Sequence, residues 1–361
     1  MLTHCILAYT IISDIDNRYQ EFWGEQQMKI SQIMHHSRLM KIAAPVLLLM
    51  MLVVGCGQQQ NATTEAKPSE TKQEGTAYKV KHAMGETNVN GTPQRVVVLT
   101  REGTEAVLEL GVKPVGAVQS WDKKDQPFYD HIKADMEGVK DVGDELQPNI
   151  EAIAALKPDL ILGVKMRHEK IYDQLSAVAP TVLAETLRGE WKNNFKLYAE
   201  ALHKKAEGDK VIADFDKKVA DLRAKAGDKL KTEVSLVRFM PGKTRIYYSQ
   251  TFAGMLLNEV GFARPKAQQK DDFAAEITKE RMPELDGDIL FYYTYNKGVK
   301  DDSGSKLEQE WTNDPLWKNL KVSKNNKVFK VDDVIWNIAG GVRAANLLLD
   351  EFDKYLVEGK Q

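Results

Sequence analysis

Arg95-Val96-Val97-Val98-Leu99-Thr100 leads through Thr104-Glu105-Ala106-Val107-Leu108-Glu109-Leu110-Gly111 to Pro114-Val115-Gly116-Ala117-Val118. The first run is apolar without alternation, as in a strand covered on both faces. Glu102 to Leu110 has helical spacing in Ala106, Val107 and Leu110, and Gly111 stops it. The third run is the next strand. The same alternation continues outward: helix Asn149 to Leu156, strand Leu160 to Gly163, helix Glu169 to Ala177, strand Thr181 to Ala184. Strand and helix alternating at this spacing predict a parallel α/β lobe. Upstream, Tyr78 to Gly91 alternates weakly and reads as a hairpin.

The pattern changes between Trp191 and Lys231. This stretch is rich in Lys, Ala and Glu, with Phe195, Tyr198, Leu202, Val211, Ile212, Phe215, Val219 and Leu222 at helical spacing. It predicts a long helical connector with Gly208 as a potential break. The α/β pattern then resumes. Strand Val234 to Phe239 turns at Pro241-Gly242 into Arg245 to Tyr248. Helix Phe252 to Val260, helix Lys279 to Leu285, strand Asp288 to Thr294, strand Lys327 to Val331 and helix Val342 to Leu356 follow. Asn149 to Leu162 matches Thr278 to Leu290 in layout: a short helix with Glu near its start, a turn, an Asp and a buried strand. Two lobes sharing one local design are expected.

Residues 40–56 read Met-Lys-Ile-Ala-Ala-Pro-Val-Leu-Leu-Leu-Met-Met-Leu-Val-Val-Gly-Cys. The apolar run Ile42 to Val54 is too short for a mature membrane span and has the length of a signal-peptide core. Its end, Val53-Val54-Gly55-Cys56, resembles a bacterial lipobox, which implies cleavage before Cys56 and a lipid on its thiol. The polar stretch that follows predicts a flexible tether. Residues 1–27 carry Asp14, Asp16, Glu21 and Glu25 and fit no targeting logic. Trp23-Gly24-Glu25 can only be encoded as TGG GGN GAR, which resembles a ribosome-binding site read through as protein, so translation is expected to start at Met28. The expected organisation is an upstream extension at 1–27, a signal peptide at 28–55, a tether at 56–77, an N-terminal lobe at 78–190, the connector at 191–231 and a C-terminal lobe at 232–361.

From Cys56 onward the chain has 306 residues, which suits two lobes. Its formal charge is −2, and without a basic block or zinc-ligand spacing nucleic acid is not expected as a partner. Cys5 and Cys56 cannot staple the mature fold. His82, His131, His168 and His203 form no HxxxH or HExxH pair. Asp271-Asp272 and Asp332-Asp333 are acidic pairs but read as solvated turns, and Gly-x-Ser-x-Gly is absent.

The order and spacing of Arg95 to Gly116, the Asn149 to Leu162 element, the connector and Trp336 to Leu356 resemble class III solute-binding proteins. That group serves ABC importers of ferric siderophores, haem and cobalamin. Arg238-Phe239-Met240-Pro241-Gly242, Gln250-Thr251-Phe252-Ala253-Gly254 and Trp336-Asn337-Ile338-Ala339-Gly340-Gly341 resemble its siderophore-binding lipoproteins from Gram-positive bacteria. The resemblance implies two Rossmann-like α/β lobes joined by a long rigid helix. It implies a monomeric receptor on the outer face of the cell membrane, anchored through Cys56. The ligand would be an iron(III)-siderophore, with citrate-hydroxamate complexes favoured, and the partners permease subunits with a cytoplasmic ATPase. No cofactor and no direct metal ligation are expected. Haem, cobalamin or another chelated metal is the alternative ligand, and a surface lipoprotein hydrolase the alternative of another class.

A ferric siderophore is often anionic, and its iron is saturated by its own oxygens. The cleft then needs guanidinium forks and aromatic walls, on loops after strand C-termini. Those positions hold Arg101, Lys165, Arg167, Arg188, Arg238, Tyr248, Tyr293 and Trp336, with Trp121 also near a strand end. The resemblance further implies permease docking through one glutamate per lobe, Glu151 and Glu280.

Overall fold

The computed structural model describes residues 77–120, 126–187, 189–296 and 301–360. The expected extension, the signal peptide, Cys56, Trp121 and Arg188 lie outside the described residues.

Val96–Val98 forms the centre of a five-stranded parallel sheet. Its order is Lys140–Asp141, Gly116–Ala117, Val96–Val98, Leu160–Val164, Thr181–Ala184. Val96 and Val98 pack into the cluster holding Phe195 and Tyr198, while Val97 and Leu99 pack with Ile153 and Leu175. Burial on both faces explains why the run shows no alternation. The chain leaves the central strand to one side, through Gly116, and returns on the other, through Leu160. That reversal opens a crevice beyond the strand ends, where open α/β sheets bind ligands.

The second sheet is mixed, with the order Ala274–Ile277, Lys243–Tyr247, Val234–Met240, Ile289–Thr294, Val328–Lys330. The last three strands are parallel. Lys243–Tyr247 alone runs against them, antiparallel to both Val234–Met240 and Ala274–Ile277, because the Pro241-Gly242 turn, with Gly242 at φ +73°, sends the chain straight back. The second lobe therefore departs from a purely parallel Rossmann-like arrangement.

The two matching elements use one device. Asp159 accepts from the backbone N–H groups of Gln94 (2.8 Å) and Arg95 (2.9 Å), just ahead of the central strand. Asp288 accepts from that of Glu233 (2.9 Å), just ahead of Val234–Met240. The helices differ: Ile150–Ala155 is α-helical with Asn149 as its cap, whereas Lys279–Leu285 winds as a tighter 3₁₀ helix with Pro283 inside.

The connector is not one helix. Trp191–Ala201 and Lys205–Ala226 are separated at His203, which has φ +58°. Gly208 is no break: it lies inside the second helix, where a Cβ would come within 2.5 Å of the Ala199 side chain. The 22-residue second helix spans about 33 Å.

The N-terminal sheet's first helix, Arg101–Glu109, also meets the last helix, Val342–Phe352. Glu105, 1% exposed, accepts from the backbone N–H groups of Arg343 and Ala344 (2.9 Å each) and pairs with His131 at 2.6 Å. It thus caps a helix N-terminus from the other lobe. Gly341 permits the approach, since a Cβ there would meet the Glu105 carboxylate at 2.5 Å. Arg343 in turn pairs with Glu109 (3.1 Å) and Asp135 (2.5 Å). Glu105→Ala should lower the unfolding free energy by roughly 3 kcal/mol, because buried N–H donors lose their acceptor. Glu105→Gln, which keeps one acceptor oxygen, should lose less. Urea denaturation checks this; an unchanged midpoint for Glu105→Ala would contradict the capping role.

Candidate functional site

Arg101 begins its helix directly after the central strand, with Thr100 capping through an acceptor bond from the Gly103 N–H. The strand thus delivers the guanidinium to the crevice. Arg167 lies in the short helix Lys165–His168, after the neighbouring strand. Both pair with Glu145, Arg101 at 3.0 Å and Arg167 at 2.8 Å. Glu145, 1% exposed, stands in the turn of a small hairpin, Gly143–Asp144 with Gln147–Pro148.

His168 fixes that turn. It is fully buried; its Nδ1 accepts from the Val164 N–H (3.1 Å), so its Nε2–H donates to the Glu145 carbonyl (2.9 Å). Burial lowers the imidazole pKa. The ring is therefore neutral in the fold, where both bonds need this tautomer.

Arg238 comes from the opposite lobe, near the end of Val234–Met240. It pairs with Asp333 at 2.5 Å and donates to the Tyr247 hydroxyl at 3.2 Å. Burial opposes its charge, but Asp333 and Tyr247 more than offset this and hold the guanidinium above its ordinary pKa. Burial raises the Asp333 pKa, and Arg238 partly offsets that.

Arg101, Arg167 and Arg238 line one cavity of about 280 Å³. Trp191, Phe252 and Phe273 supply aromatic wall, and Leu187, Met166 and Met255 aliphatic wall. Asn337 to Gly340 lie along the C-terminal lobe's side. Met166 is 47% exposed, and its sulfur accepts from the Leu187 N–H at 3.2 Å. Glu102 also lines the cavity; burial pushes its carboxyl up to about 8, partly opposed by the nearby Asn194 side chain. Among the described residues no cluster suited to a metal ion occurs.

The other expected residues lie elsewhere. Lys165 points to the surface and pairs with Glu185 at 3.3 Å. Tyr248, 1% exposed, is core beside Val237 and Phe239, with the Lys270 ammonium 5.2 Å from its ring. Tyr293, fully buried, packs against Tyr247 with ring centres 5.7 Å apart. Trp336, fully buried, packs 4.5 Å from Phe291, and its indole N–H donates to Glu351. A strand end in sequence marks proximity to the crevice, but large aromatics there are drawn into the apolar layer beneath it. Glu151 and Glu280 are exposed, each in the first turn of its helix.

Glu102, Glu145, Trp191 and Phe252 were not anticipated at the site. Glu102 sits beside Arg101, and Trp191 opens the connector, so both positions were visible. Glu145 carried no signal, because nothing local marks which loop acid folds back onto two arginines.

His168 generates a pH prediction. Its folded pKa lies below the ordinary 6.5. Its contribution to stability is therefore full above 6.5 and is lost as pH falls through that value toward the depressed one. His168→Gln should be destabilised by about 1–3 kcal/mol at pH 7, and the gap to wild type should narrow at pH 5. Denaturant melts at both pH values test this; a gap that stays constant contradicts it.

Residues 96–335 match the family described as periplasmic binding protein. The chain is 50% identical over 323 residues to the probable siderophore-binding lipoprotein YfiY of Bacillus subtilis, covering 87% of this chain and 97% of that protein. It is 32% identical over 314 residues to the Fe(3+)-citrate-binding protein YfmC of the same organism, covering 86% and 95%. The crystal structure of Staphylococcus aureus SirA complexed with staphyloferrin B superposes with a TM-score of 0.71 at 40% identity, covering 77% of this chain and 98% of that one.

Proposed function

The chain belongs to the periplasmic binding protein family, and from that premise we propose that it binds a ferric siderophore in its cleft and delivers it to an ABC permease for iron uptake. It is a solute-binding protein, not an enzyme; the iron chelate is cargo. The observation that carries the reading is the convergence of Arg101, Arg167 and Arg238, from both lobes, on one cavity with aromatic and aliphatic walls. Guanidinium forks suit carboxylate and hydroxamate oxygens. A citrate-hydroxamate type of complex is favoured, in keeping with the citrate and staphyloferrin B named for the relatives. Of the axial candidates for the haem alternative, Tyr248 and Tyr293 are core residues.

Each of Arg101→Ala, Arg167→Ala and Arg238→Ala should weaken binding of ferric staphyloferrin B by about 1.5–3 kcal/mol, roughly ten- to over a hundredfold in Kd. Quenching of tryptophan fluorescence, with Trp191 in the cavity wall, gives the readout. Wild-type affinity in all three variants would remove the site assignment.

Docking to the permease is assigned to Glu151 and Glu280, one exposed acid on each lobe. Such contacts set orientation and complex lifetime more than ligand affinity. The double reversal Glu151→Lys/Glu280→Lys should therefore keep siderophore binding in solution and lose most uptake by cells. Undiminished uptake by that variant would eliminate the docking assignment.

Anchoring is assigned to Cys56, in keeping with a relative named as a lipoprotein. Among the described residues no helix is long and apolar enough to cross a membrane. Two acyl chains would hold the protein stably at the surface. Cys56→Ala should abolish incorporation of labelled fatty acid; continued labelling would refute the assignment.

A further inference from the structure

Among the described residues, Glu102 is the one cavity-lining acid that the binding reading leaves without a role. It is the second residue of its helix and 6% exposed, and its Oε1 is buried without a hydrogen-bond partner. Every element packed around it brings polar or charged groups. One turn along the same helix stands Glu105, engaged by His131, Arg343 and Ala344. The hairpin brings Glu145, held between Arg101 and Arg167. The connector's first helix brings Asn194, whose amide donates to the Thr186 carbonyl at 2.8 Å, and Tyr198, whose hydroxyl donates to the Gly163 carbonyl. The opposite lobe brings Arg238, paired with Asp333.

Among the described residues, three cavity arginines thus face two paired carboxylates, Glu145 and Asp333. A protonated Glu102 leaves the site with a surplus positive charge; an ionised one removes it. We infer that Glu102 holds the exchangeable proton of the cleft, so that capture of an anionic chelate is linked to proton uptake at this side chain. The inference rests on the reading of the cleft as a site for an anionic iron chelate.

The chemistry runs in one direction. Burial, opposed by Asn194 and reinforced by Glu145 and Glu105, raises the carboxyl to about 8. Near pH 7 the group is then mostly neutral, and an arriving anion favours the neutral form further. Affinity should be level below pH 7 and fall about tenfold between pH 7 and pH 9, as the free cleft ionises while the occupied one keeps its proton.

Isothermal titration of ferric staphyloferrin B into wild type and Glu102→Gln, at pH 7, 8 and 9, tests this. Buffers of low and high ionisation enthalpy report the protons exchanged. Wild type should take up a fraction of a proton at pH 8 and lose about tenfold in affinity by pH 9. Glu102→Gln should show neither change, and comparing the two cancels the ligand's own titration. The same pH slope and proton uptake in both proteins would overturn the inference. If wild type binds no ferric chelate at any pH, the reading of the cleft fails instead. Carbon NMR titration of the glutamate carboxyls in the ligand-free protein then decides the remainder. A midpoint near 8 that vanishes in Glu102→Gln upholds the buried proton, and its absence in wild type overturns it.

Discussion

The Glu105 carboxylate is where one lobe holds the other. Buried almost completely, it accepts two backbone N–H groups at the start of Val342–Phe352. These donors have no partner within their own helix, so separating the lobes would give up two hydrogen bonds to a charged acceptor. A second tie, the 22-residue helix Lys205–Ala226, cannot absorb the dihedral changes of a loop hinge. Both ties restrain the spacing of Arg101 and Arg238, and a cleft restrained in this way would lower the ordering cost of binding.

Within that frame the site follows from sheet topology. Each sheet is built outward from a central strand in both directions, and the side chains beyond that strand's end face open space. Arg101 and Arg238 occupy these ends in their lobes, and Arg167 the end of the adjacent strand. A bare cluster of guanidinium groups would repel itself. Glu145 and Asp333 hold the arginines in place and neutralise most of their charge. The pairs are costly to desolvate and add little to stability; their value lies in orientation, with each fork presenting several donors.

The sequence made the α/β alternation legible because apolar runs of Val and Leu at 96–99, 160–162 and 181–184 need two-sided burial. It also pointed to Arg101, Arg167 and Arg238, which the structure brings to one cavity, since strand ends locate a crevice. The tight turn at Pro241-Gly242 was legible too, and Lys243–Tyr247 returns from it antiparallel to Val234–Met240. The sequence did not distinguish Tyr248, Tyr293 and Trp336 from cavity walls: an aromatic at a strand end reads alike whether it covers the crevice or lies beneath it. The break at His203 was hidden because a left-handed histidine has no compositional mark, whereas Gly208, which does look like a break, is a close-packing position.

The paired aspartates imply an order of assembly. Asp159 joins residues 64 and 65 positions apart, and Asp288 a residue 55 positions away. The Glu105 contacts span 238 and 239 positions. Closing the longer loop costs about 1 kcal/mol more in chain entropy, and it requires a helix end that is already formed. Each lobe can therefore organise around its own aspartate before the two dock. In that order the Glu105 contacts, which join the lobes, would form last, and a chain caught partway would carry two shaped lobes and no site between them.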